Sequence, residues 1–148
     1  MYDGACSIPS MARLLINIDV DEMERAIAFY TAAFELEVGR RFDGGFVELL
    51  GAEAAIYLLS KSPATPPFPG ADEGRRYARH WTPIHLDFVV PDLDSALSRA
   101  LAAGATLESP PGEHPYGRLA LLADPFGHGF CLLQFRGKEY DELPHTRG

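Results

Sequence analysis

Residues 15–33 lie over residues 85–103 without a gap, and apolar positions coincide along the overlap. Ile16 meets Leu86, Ile18 meets Phe88, Val20 meets Val90, Met23 meets Leu93, Ala26 meets Ala96 and Ile27 meets Leu97. After a short insertion, Ile56-Tyr57-Leu58-Leu59 meets Phe130-Cys131-Leu132-Leu133. A duplicated unit constrains a fold more than local propensity does, because both copies must build the same elements. Each copy reads as a strand, a helix with its apolar stripe at helical spacing, and then three short strands. The expected class is α+β, built from two tandem βαβββ modules. One such module leaves a curved sheet with a helix on one face and an open concavity on the other. Two modules, side by side or exchanged between subunits, close that concavity into a funnel.

The segment boundaries follow from turn and breaker residues. Residues 1–12 read as a loose leader, with Met11 as an alternative start. The first module spans 13–60, with a strand to Val20 and Asp21 as helix cap, Glu24 standing at the capping-box spacing. Strands are expected at 37–42, 45–50 and 55–60, parted by Gly-containing turns. The linker at 61–80 is rich in Pro and Gly and reads as a tether or a lid. The second module spans 81–136, with Asp92 as cap and Gly104 as helix stop. Its later strands are expected at 105–108, 117–123 and 129–136. A polar tail, 137–148, follows a single domain covering 13–136.

Composition sets outer limits on function. A chain of 148 residues with 47% hydrophobic and 23% charged residues has the make-up of an ordinary globular domain. Thirteen basic against twenty-one acidic residues leave a net charge of −8, which argues against a nucleic-acid-binding face. No apolar run reaches the ~20 residues of a membrane span, and the opening residues do not read as a signal peptide. Cys6 and Cys131 do not suggest a disulfide framework. A cytoplasmic protein without membrane or nucleic-acid partners is expected.

Candidate site residues come from strand alternation. His85 and Asp87 share one face of their strand, opposite Leu86 and Phe88. If the apolar pair packs on the helices, the polar pair faces the funnel, together with Asn17 and Asp19 of the first repeat.

ERAIAFYTAAFEL, HLDFVVPDLDSALSRALAAGA and LLADPFGHGFCLLQF, with their FY pair and DPxGxxxxL turn, resemble the vicinal oxygen chelate superfamily over residues 13–136. That superfamily includes glyoxalase I, bleomycin-resistance proteins, fosfomycin-resistance enzymes and extradiol dioxygenases. The resemblance implies paired modules, a homodimer and a funnel that often holds a divalent metal. It places four potential ligands at Leu15, Tyr57, His85 and Cys131. Only His85 matches the superfamily's pattern, since Leu15 cannot ligate, Tyr57 is a rare ligand and Cys131 is soft where the superfamily uses a hard carboxylate. The resemblance further puts Cys131 near His85, where an imidazole would favour a reactive thiolate, and Tyr57 in a wall suited to a flat ligand. It puts His114, Tyr116 and Arg118 at the pocket rim, with Arg118 as an anion partner or a solvated charge. His128 becomes a turn residue outside the pocket. Arg75, Arg76, Tyr77 and Trp81 are left to cover the funnel mouth or merely to tether.

Two functional readings follow. The first is a metal-independent protein that binds or sequesters a small organic molecule, through Leu15, Asn17, Tyr57, His85, Asp87, Arg118 and Cys131. The alternative is a glyoxalase-type lyase or isomerase, or a dioxygenase-like enzyme, with a rewired metal site on His85 and with His85 and Cys131 as catalytic groups. A thiol-based role for Cys131 is a third, weaker reading.

Overall fold

The computed structural model describes residues 12–148, so residues 1–11 of the leader, with Cys6 and Met11, lie outside the described residues. The first module comprises β1 (Leu15–Val20), α1 (Met23–Phe34), β2 (Glu37–Phe42), β3 (Phe46–Leu50) and β4 (Ala55–Ser60). The second comprises β5 (Leu86–Val89), α2 (Leu93–Ala103), β6 (Thr106–His114), β7 (Gly117–Ala123) and β8 (Gly129–Phe135). The sheets have matching orders, β1-β4-β3-β2 and β5-β8-β7-β6, each with a parallel outer pair and two antiparallel pairs. The sequence repeat is therefore a structural repeat.

Each sheet buries its even-numbered outer-pair positions under its helix. Ile18, Val20, Ile56 and Leu58 do so in the first module, and Phe130 and Leu132 in the second. The two helices pack on each other, and an aromatic cluster seals the seam between modules. Phe34 stacks on Phe88 with ring centroids 3.8 Å apart, and Phe130 meets Phe34 edge-on at 5.2 Å.

Two expectations about the elements are corrected. α1 is capped at Glu22 with no side-chain cap bond, and Asp21 Oδ1 is buried with no hydrogen-bond partner. Asp92, in contrast, caps α2 by accepting from the Asp94 and Ser95 amides, and Gly104 ends it at φ 116°. β6 runs to His114 rather than ending near 108. As an edge strand with two register shifts, it accommodates Pro110 and Pro111, which cannot donate to a ladder.

β2 carries a comparable irregularity between Val38 and Arg41, and Glu48 repairs it. The Glu48 carboxylate accepts from the Arg40 amide, from Arg40 Nε and Nη2, and from the Tyr57 hydroxyl. The Arg40 guanidinium, working against burial and helped by the Tyr57 hydroxyl, holds the Glu48 carboxyl down at about 2 instead of 4.5. A group depressed in the fold stabilises fully above its ordinary value and stops doing so as pH falls through its folded value. Melting temperatures of wild type and Glu48→Gln are therefore expected to differ at neutral pH and to converge between about pH 4.5 and 2. Parallel curves across that window would contradict this role.

The linker is pinned along its length. Ala64 and Arg75 pair through the backbone, Arg75 Nε donates to Asp19 Oδ2 at 2.9 Å, and the Tyr77 hydroxyl donates to the Lys61 carbonyl. Arg79 forks onto Glu108 of the second module. The tail adds a 3-10 turn at Glu139–Glu142. No helix among the described residues is long and apolar enough to cross a membrane.

Candidate functional site

The parallel register of β5 and β8 sets Asp87 beside Cys131, on the face away from α2. His85, one residue before β5, turns the same way, with Nε2 3.3 Å from Asp87 Oδ1. The side-chain donor atoms of His85, Asp87 and Cys131 all lie within 4.8 Å of one another. His85 and Asp87 remain open to solvent, while Cys131 is buried. Strand alternation thus delivers the expected polar pair to the concave face, and sheet pairing adds the thiol.

The thiol does not behave as expected. Burial, followed by the charge and hydrogen bond of Asp87, pushes Cys131 up to about 11. His85 is engaged with Asp87, and the carboxylate penalises the thiolate. Both influences oppose the thiolate that a neighbouring imidazole was expected to favour.

In the first module Leu15 and Asn17 occupy the positions equivalent to His85 and Asp87, and Asn17 sits beside Tyr57 in the β1–β4 register. The Tyr57 hydroxyl is committed to Glu48. Arg118 is not on the concave face. It shares the helix-side face of β7 with the buried Ala120 and Leu122, and pairs with Asp94 and Glu113. Its proposed ligand contact is corrected to an ion pair that ties β7 to α2. Asp19 and Arg75 satisfy each other, and Trp81 is 81% exposed near the funnel mouth.

His128 is the residue the sequence reading undervalued. Its Nε2 lies 2.7 Å from the Asp19 carbonyl, so the β7–β8 turn of one module holds the first strand of the other. Both residues border a cleft of about 330 Å³ along the seam, whose wall includes Ile16, Leu86 and Phe88 and whose polar margin includes Asn17 and His85. The FY and DPxG motifs meet beneath it. The Tyr30 hydroxyl donates to Asp124 Oδ2 at 2.6 Å, and Asp124 Oδ1 accepts from the Phe126 and His128 amides. Burial, then the Asp124 charge, raises the Tyr30 hydroxyl well above its ordinary value. These motif residues are architectural.

The family description "Glyoxalase-like domain" matches residues 15–133, from the first strand of the first module into the last strand of the second. The chain belongs to this family, within the vicinal oxygen chelate superfamily. An uncharacterised protein of Mycobacterium tuberculosis is 33% identical over 132 residues, covering 86% of this chain and 77% of its own. A glyoxalase/bleomycin resistance protein/dioxygenase family enzyme from Burkholderia phytofirmans shares the fold at TM-score 0.64 and 22% identity, covering 84% of this chain and 100% of its own. So does a mutant of the fosfomycin resistance protein FosX from Listeria monocytogenes, solved with Mn(II) and a dihydroxypropylphosphonic acid. Its TM-score is 0.66 at 19% identity, covering 90% of this chain and 96% of its own.

The donor set here does not suit a cation like Mn²⁺. One carboxylate, one imidazole and one soft thiol stand where hard cations require an oxygen-rich shell. Leu15 has no donor, and the Tyr57 oxygen is spent on Glu48.

Proposed function

We propose that this glyoxalase-like domain binds a small, partly apolar organic molecule in the seam cleft, with His85 and Asn17 as polar contacts and without a hard metal ion. The observation that carries the reading is the pairing of an intact scaffold and cleft with an unsuitable hard-metal donor set. Such clefts, mostly apolar with a few convergent polar groups, are the usual form of small-molecule sites. A thermal-shift screen of flat, partly apolar molecules in chelator is the test. Hits are expected to raise the melting temperature of wild type and to lose most of that effect in His85→Ala. A screen in which every stabilising compound acts equally on His85→Ala would remove the cleft as the site.

One observation favours a second reading. His85, Asp87 and Cys131 present N, O and S donors within 4.8 Å, a set that Zn²⁺ accepts when it displaces the thiol proton. A zinc-loaded centre would supply Lewis-acid activation for a glyoxalase-type lyase or isomerase. Elemental analysis after zinc loading tests it: about one zinc per chain, lost in Cys131→Ser, would favour this reading over the metal-free one.

A further inference from the structure

The internal repeat supplies a control that single-module proteins lack. Tyr57 and Leu59 of β4 are equivalent to Cys131 and Leu133 of β8, and all four face away from the helices. The first pair is half-buried, yet Cys131 is only 6% and Leu133 only 1% exposed. Neither Cys131 nor Leu133 belongs to the core under the helices, so something else covers them. The second module carries the tail after β8. Within it, the Tyr140 ring lies edge-on to Phe135 at 4.9 Å and tilted on Tyr116 at 5.1 Å. Phe135 shares the face of Leu133 and Cys131, which stand two and four residues before it on the same strand.

The tail is lightly held. Among the described residues, every hydrogen bond and ion pair of residues 138–147 ends on another residue of 136–147. No residue of its 3-10 turn is buried. It joins β8 through Gly137 and Glu139, both at φ 60°, so the chain bends sharply, and the non-glycine position is strained. The segment is thus self-bonded, and its ring contacts with the rest of the module run through Tyr140, itself 52% exposed.

We propose that residues 137–147 form a lid over the Cys131 side of the second module's concave face, latched by Tyr140, which must lift before anything reaches the Cys131 thiol. The proposal concerns access to this face and holds whether the seam cleft takes an organic molecule or the trio takes zinc. Burial and the nearby Asp87, Tyr116 and Cys131 also raise the Tyr140 hydroxyl, consistent with a phenol standing over those groups.

The test is the rate at which 4,4′-dithiodipyridine modifies Cys131 at pH 8.5, in a Cys6→Ser background so that the signal is Cys131 alone. Tyr140→Ala and a chain ending at Gly137 are expected to react at least about ten-fold faster than the parent, while Tyr140→Phe, which keeps the ring, stays within about two-fold. Rates for Tyr140→Ala within about two-fold of the parent would overturn the lid, as would Tyr140→Phe reacting as fast as Tyr140→Ala. Acceleration that rises with urea as steeply as global unfolding would also overturn it, because lid opening exposes little surface. If the shortened chain fails to fold, full-length Tyr140→Ala decides the matter.

Discussion

Replacing Asp124 by Ala is expected to destabilise the protein by about 3 kcal/mol or more, lowering the melting temperature by roughly 6–12 °C for a chain of this size. The carboxylate is buried and serves three donors at once: the Tyr30 hydroxyl, the Phe126 amide and the His128 amide. Losing it strands buried donors, each costing about 1–3 kcal/mol, which outweighs the modest worth of any one bond. The turn would also release His128 from the Asp19 carbonyl and loosen the cleft margin. Tyr30→Phe removes only one donor and is expected to cost about 1–2 kcal/mol. Thermal melts check the order; an Asp124→Ala protein that melts like wild type would contradict the structural role.

Gly127→Ala is expected to cost about 2–4 kcal/mol, combining backbone strain with displacement of the linker. Gly127 sits at φ 90°, and a Cβ there would lie 2.5 Å from the Ala78 backbone carbonyl. Backbone cannot swing away as a side-chain tip can, so residues near 78 must detach. Arg75, Arg76 and Arg79 should then become readily cleaved by trypsin. Gly44→Ala is the control: its φ of 93° brings similar strain, but nothing lies within 4 Å of the added carbon. It should keep the linker protected. Equal trypsin resistance in wild type and Gly127→Ala would show that the linker does not depend on this close approach.

The duplication was legible because apolar spacing recurs over residues 15–33 and 85–103, and period-two alternation likewise put His85 and Asp87 on one face. Cys131 joined them through a superfamily position, which β-pairing then realised. The sequence could not reveal which charges satisfy each other. Arg118 reads as a rim cation, but its partners Asp94 and Glu113 come from two other elements. Glu48 looked like an ordinary strand residue, because the β-bulge that requires it leaves no mark in local composition. The thiol's surroundings were hidden for a related reason. Nearness to an imidazole was inferred, but burial and then the Asp87 carboxylate raise the thiol and oppose a thiolate. Tyr140 escaped notice because a polar tail shows no periodicity.

The most direct measurement is a calorimetric titration of the best screening hit into wild type and His85→Ala, each in excess chelator and again with added Mn²⁺. A hard-metal-free seam site requires the same affinity in chelator and in Mn²⁺, and a loss of about ten-fold or more on His85→Ala. Binding that vanishes in chelator and returns with Mn²⁺ would contradict it.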